Sequence, residues 1–261
     1  QLGQPDVNSV GIAAQEGGVV VALSRRLVRL VPTPARVAPG AETFVAGRAQ
    51  AQEQVTVAFG YPNGVVHRVR LPTVRGTFMQ RVAVGVTPGI MDVQVLVDRG
   101  HGPEVAAQFP VGVGRSPWEA PEPVAATSDD GADPRAALWS LLWGARDAQG
   151  LALPTPHGGL ARVAQAHADD MSRRAYFAHL SPTTGDVTDR LRAQGIAYVR
   201  VLENIAAAPS IDEAFAQWLR SPSHRANLLD PDATFAGVGV ARGAGAAKDL
   251  VVLVMARLPA S

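Results

Sequence analysis

AQAHADDMSRRAYFAHLSP, residues 164–182, begins with a helical period and ends in a turn. Leu160, Val163, Ala164, His167 and Met171 recur at the spacing that places side chains on one helix face. The periodicity stops at Tyr176, and Ser181-Pro182-Thr183-Thr184-Gly185 reads as a turn. His167 therefore lies on a face of core residues. It is expected to be a buried histidine satisfied by a backbone carbonyl. His179 lies where the helix has ended and the turn begins, a place that suits either an ordinary surface histidine or half of a site completed elsewhere.

Working outward, a mixed set of helices and strands surrounds this segment. Asp133 can cap and Pro134 can open a helix whose Leu138, Leu141, Leu142 and Ala145 form an apolar stripe. Asp186 to Gln194 reads as a short helix closed by Gly195. VLENIAAAP, residues 201–209, reads as an extended, partly buried run. Ser210 and Glu213 form the pattern of a capping box, so Glu213 has a structural role to fill. Phe215, Trp218 and Leu219 give that helix its apolar face. Ser221-Pro222 then opens a further helical turn holding His224. FAGVGVAR and DLVVLVMAR close the chain as strands, and the continuous apolar run VVLVM fits a central strand covered on both faces. Residues 134–261 thus predict helices layered on a short sheet.

The first half has a different texture. Residues 1–17 are polar and Gly-rich and read as an arm. Between residues 18 and 114, GVVVALS, FVAGRA, QVTVAFGYP, VVHRVRLP, TFMQRVAVGV, MDVQVLVD and AAQFPVGV are short strand-like runs separated by PNG, RG, TPG and RGHG turn signals. Seven such runs predict a small all-β sandwich of immunoglobulin-like type. His67 and His101 stand alone there and form no chemical cluster. Residues 115–133, RSPWEAPEPVAATSDDGAD, lose all periodicity and read as a Pro-rich acidic linker in which Trp118 packs locally.

Composition bounds the function. The chain has 261 residues, 47% of them hydrophobic and 18% charged, with no cysteine. Disulfides, thiolate zinc sites and cysteine nucleophiles are excluded together. The net charge of +1 divides into 11 Arg against 7 acidic residues over 1–116 and 13 basic against 16 acidic over 117–261. Neither half carries the footprint of a nucleic-acid-binding surface. No window offers the roughly 20 apolar residues of a spanning helix. The opening QLGQPDV, without an initiator Met, is expected of an exported chain whose leader has been trimmed.

Few groups in residues 134–261 can bind metal or move protons at neutral pH. His157, in PTPHGG, is expected to face water. His179 and His224 are 45 residues apart, a spacing that matches no compact zinc motif. Glu203 stands in an apolar run and must find a partner or take up a proton. On spacing alone, His179, Glu203 and His224 are candidates for one site and also candidates for unrelated structural roles.

Four segments in order, AQAHADDMSRRAYFAHLSP, LENIA, WLRSPSHRANLL and AGVGVA, resemble the CAP superfamily. That family contains the cysteine-rich secretory proteins, the antigen 5 allergens and the pathogenesis-related proteins, and the likeness is to its bacterial, cysteine-free branch. The resemblance covers roughly residues 134–261 and implies an α+β fold, an α-β-α sandwich with a shallow cleft, here preceded by the β-domain. It implies that two histidines and two acids line the cleft. His179 matches the first histidine, Glu203 the first acid and His224 the second histidine. Ser221 occupies the place of the second acid, Asn227 stands where many relatives carry Gln, and Ser181 borders the first histidine.

The resemblance leaves three function classes open. One is an extracellular or envelope binding module with a cleft able to take zinc through His179 and His224. Another is a zinc-dependent hydrolase using His179, Glu203 and His224, for which an open metal position and a proton shuttle are required. A third is a lipid or sterol carrier. The partner in each case is an extracellular peptide, envelope polymer or lipid rather than nucleic acid.

Overall fold

The computed structural model describes residues 9–15, 18–24, 26–50, 53–98, 103–117, 133–243 and 248–259. His101, Trp118 and nearly all of the linker lie outside the described residues, as do residues 1–8 of the arm. The chain divides into two units, Gln1–Glu119 and Ala120–Ser261.

The first unit is all β. Its strands are β1 (Ser9–Gln15), β2 (Gly18–Ser24), β3 (Arg29–Leu30), β4 (Arg36–Val37), β5 (Glu42–Arg48), β6 (Gln54–Gly60), β7 (Val66–Leu71), β8 (Thr77–Ala83), β9 (Gly89–Asp98) and β10 (Pro103–Val113). Each of the seven runs read as strands carries one. The arm is a correction, because Ser9–Gln15 pairs antiparallel with Gly18–Ser24 along its whole length. A five-stranded sheet, β4-β10-β9-β6-β7, and a three-stranded sheet, β3-β5-β8, share one core. Strand period explains that core: Val55, Val57 and Phe59 of β6, together with Met91, Val93, Val95 and Val97 of β9, are alternate residues, and all are buried.

The second unit contains α1 (Pro134–Asp147), β11 (Thr155–Pro156), α2 (Gly158–Arg174), α3 (Val187–Ala193), β12 (Arg200–Ala208), α4 (Ile211–Arg220), α5 (Pro222–Leu228), β13 (Phe235–Arg242) and β14 (Asp249–Arg257). The sheet order is β11-β13-β14-β12, with β14 antiparallel to both long neighbours. The apolar run VVLVM is thus an interior strand, and its alternation divides two cores. Val251, Leu253 and Met255 pack with Leu138 and Leu142 of α1 and Phe215 and Trp218 of α4. Leu250, Val252, Val254 and Ala256 pack with Leu160, Val163, Ala164 and Met171 of α2 and Leu191 of α3. Helices cover both faces of the sheet, which gives a three-layer α-β-α unit.

Local signals explain the helix ends. The Asp133 carboxylate accepts from the Arg135 N–H at 3.0 Å, and Pro134 opens α1. His157 does not sit in a solvent loop. It caps α2, where its Nδ1 accepts from the Leu160 N–H at 3.2 Å and its ring stands edge-on to Phe235. Ser210 caps α4 by accepting from the Glu213 N–H. The complete reciprocal capping box lies instead at α3, between Asp186 and Asp189. In α1 the fully buried Arg146 donates to the carbonyls of Ala152, Leu228 and Asp230 at 2.8–2.9 Å, tying α1 to the end of α5.

AGVGVA acquires a packing explanation. A Cβ built at Gly237 would lie 2.1 Å from the Ala161 nitrogen, and one at Gly239 would lie 2.3 Å from the Ala164 carbonyl carbon. The α2 backbone rests directly on β13, and only a strand without side chains at these two positions allows it. Gly237→Ala is expected to destabilise the unit by roughly 3 kcal/mol through this backbone clash. Gly144→Ala, where an added Cβ meets nothing within 4 Å on α1, should stabilise by about 0.5–1 kcal/mol. Urea denaturation of both variants checks the opposite signs.

Candidate functional site at the edge of the sheet

β12 is the last strand of its sheet, and its Glu203-Asn204 pair is the origin of the site. Consecutive strand residues point to opposite faces. Val201 and Ile205 pack in the α2/α3 layer and Leu202 and Ala206 in the α1/α4 layer, so Glu203 enters the first layer and Asn204 the second. One dipeptide at the sheet edge thereby reaches elements from both layers.

On its side, Glu203 is buried, and both carboxylate oxygens are engaged. Oε2 accepts from Arg190 Nη2 at 2.5 Å, and Oε1 accepts from His179 Nδ1 at 2.9 Å. Burial pushes the Glu203 pKa up, but the hydrogen bond from His179 and the Arg190 charge outweigh it, and the net direction is down. Glu203 is therefore a carboxylate and can only accept, which assigns a proton to Nδ1 of His179. The His179 side chain remains 49% exposed, against 3% for Glu203.

On the other side, the Asn204 Nδ2 donates to the His224 carbonyl at 3.0 Å, and the Asn227 Nδ2 donates to the Asn204 Oδ1 at 2.9 Å. These bonds pin α5 to β12 and bring His224 towards His179. The ring centroids are 6.4 Å apart and inclined at 42°. His179, Glu203, His224 and Asn227 are thus gathered at one sheet edge.

The turn bearing His179 is held from below. His167 is fully buried, and its Nε2 donates to the Ala178 carbonyl at 3.0 Å. Burial lowers its pKa and keeps the ring neutral. Arg190 Nη1 donates to the carbonyls of His179 and Gly185. Asp170 accepts from Tyr176 Oη at 2.7 Å, Ser181 Oγ at 2.7 Å and Arg174 Nε at 2.9 Å. Ser181 Oγ in turn accepts from the N–H groups of Thr183 and Thr184. Ser181 thus belongs to the scaffold of the turn that carries His179. Ser221 is also buried, at the junction of α4 and α5, where its hydroxyl lies 3.3 Å from that of Ser223.

Sequence reasoning missed Asp170, Arg190 and Asn204. Asp170 did leave a signal: it is a polar residue three positions after His167, on a helix face otherwise reserved for the core.

Two imidazoles sharing a tetrahedral zinc would have ring centroids about 5 Å apart, given metal–nitrogen distances near 2.0–2.1 Å. The observed 6.4 Å is about 1 Å longer than that. Among the described residues, no group of three or more His, Asp or Glu is placed to hold a metal ion. The donor set on offer is His179 with His224, without Glu203.

Residues 139–256 match the sequence profile of CAP, the cysteine-rich secretory protein family. Residues 139–256 are a CAP domain. Two curated Bacillus subtilis relatives match part of the chain. The uncharacterized protein YkwD is 40% identical over 81 residues, 31% of this chain and 32% of that one. The uncharacterized membrane protein YlbC is 40% identical over 86 residues, 31% of this chain and 24% of that one. The matches thus span about a third and a quarter of those relatives. Among solved structures, an outer surface protein from Borrelia burgdorferi is 18% identical, with a TM-score of 0.46, over 50% of this chain and 97% of that one. An extracellular SCP-domain protein from Bacillus anthracis is 18% identical, with a TM-score of 0.42, over 88% of each chain.

Three hydrogen bonds overcome the burial of Asp170 and bring its pKa from 3.8 down to about 2. A folded-state pKa below the unfolded value gives stability that is present above pH about 4 and is lost as pH falls towards 2. Asp170→Asn is expected to be less stable at pH 6 and to flatten the stability profile between pH 4 and 2. Thermal melts of both proteins across that range measure it.

Proposed function

We propose that the chain is an exported binding module whose CAP domain engages its partner at the His179–His224 edge, with zinc as an accessory ligand. The carrying observation is the fate of Glu203. A hydrolase of the expected kind would use this carboxylate on metal, water or a proton, but here both oxygens are held in a buried pair with Arg190 and His179. The position of the second acid is Ser221. What remains is one imidazole oriented by a carboxylate and a second imidazole beside it.

A carboxylate behind a histidine fixes its tautomer and ring orientation, as it does behind metal ligands. Zn²⁺ would be held by His179 and His224, and when bound it supplies a Lewis-acidic ion whose other positions are open to water or a partner's donor group. Phe177 and Leu180, which flank His179 in sequence, are 51% and 48% exposed. Large apolar side chains beside a polar pair favour a peptide-like partner that offers both an apolar group and a donor.

Export is supported by the family's description as secretory proteins. No helix among the described residues is long and apolar enough to cross a membrane. The N-terminal β-unit fits the role of an immunoglobulin-like spacer or adhesive module in front of the CAP domain.

Calorimetric titration of the full chain with Zn²⁺ tests the reading. One ion per chain is expected, with His179→Ala and His224→Ala each weakening affinity at least roughly tenfold and Glu203→Gln by about 10–100-fold. Equal affinity in wild type and all three variants overturns the metal assignment.

A further inference from the structure

We propose that the groove between α2 and α3 is a second binding site, for a small carboxylate with a short apolar body. Neither His179 nor His224 lines it, so this assignment stands independently of the metal reading. The groove has a volume of about 520 Å³ and is formed by α2, α3 and the 183–185 turn. That volume lies within the range of small-molecule sites, about 300–1,000 Å³.

The first observation is an unmatched donor deep in the wall. Arg190 lines the groove and is only 5% exposed. Its Nη1 donates to two carbonyls and its Nη2 to Glu203, yet its Nε–H has no hydrogen-bond partner. A buried donor without a partner costs on the order of 1–3 kcal/mol, and a ligand oxygen that reached it would remove this penalty.

The second observation is the charge of the opposite wall. Arg162, on α2, is exposed and makes no ion pair or hydrogen bond with any described residue. It is the uncompensated cation of the groove, since Arg190 is paired with Glu203 and the groove's Asp189 with Arg192. A planar guanidinium favours a carboxylate over a point acceptor because it can donate two parallel bonds. The Thr184 hydroxyl and the Gln194 amide also line the groove, and neither side chain is engaged by another described residue. Both can meet the neutral polar atoms of a ligand.

The third observation sets the ligand's body. The apolar lining is Val163, Ala166 and Ala193, side chains that cover a methyl-sized or isopropyl-sized group. The chemistry is that of a peptide C-terminus or an N-acylated small amino acid: carboxylate to Arg162, amide to Thr184 or Gln194, and a short side chain to the apolar wall.

The test is an amide-resolved NMR titration of the metal-free full chain with N-acetylalanine and, separately, with its uncharged analogue N-acetylalaninamide. The acid is expected to bind saturably at millimolar concentration, shifting signals of α2, α3 and the 183–185 turn. The amide should bind at least roughly tenfold more weakly, reflecting the loss of the charge-assisted bonds. Arg162→Gln, on an exposed side chain, should keep the wild-type melting temperature while weakening the acid roughly tenfold and leaving the amide unaffected. Equal binding of acid and amide, unchanged acid binding in Arg162→Gln, or no saturable shift with the acid would each overturn the proposal.

Discussion

The buried contact between Glu203 and Arg190 organises the sheet edge where His179 and His224 meet. Two opposite charges, 3% and 5% exposed at their side chains, meet at 2.5 Å between the edge strand and a two-turn helix. Such a pair gives little net stability over an apolar substitute, but removing one partner strands the other and costs about 3–5 kcal/mol. Its value here is positional. Arg190 fixes Glu203 as a carboxylate, Glu203 fixes the His179 ring, and the same guanidinium holds the carbonyls of His179 and Gly185. Backbone and side chain of His179 are thus set by one arginine.

The two sides of the site depend on different physics. His179 is placed by charge: a carboxylate, a guanidinium and, beneath the turn, the Asp170 cluster. His224 is placed by neutral amides, through Asn204 and Asn227, and by Arg146 anchoring the end of α5. Acid therefore acts mainly on the His179 side, where carboxylates hold the turn. The edge position of β12 is what allows both systems to converge, because among the described residues no further strand covers that side of the sheet.

Much of the architecture was legible in the sequence. VVLVM read as a covered strand because an unbroken apolar run has no polar face to give to water, and β14 is flanked on both edges and both faces. His167 read as a buried, carbonyl-bonded histidine because its helical phase matched Leu160, Val163 and Met171. His157 was misplaced because a capping histidine between Pro and Gly looks like loop. The arm was misplaced because Ser9–Gln15 was grouped with the polar residues on either side of it, although Val10, Ile12 and Ala14 recur at strand period and the segment pairs with Gly18–Ser24. Arg190 was invisible because nothing in VTDRLRA distinguishes a surface arginine from one turned inward. Its role is set by contacts across 13 residues to Glu203, and no local period records them.

The central claim is that Glu203, held ionised by Arg190, orients His179 with its proton on Nδ1. Imidazole ¹⁵N chemical shifts of His179 at neutral pH, without metal, test it most directly. The account predicts a protonated Nδ1 in the wild type, a preference lost in Glu203→Gln. A His179 that carries its proton on Nε2, or shows the same shifts in both proteins, would contradict it.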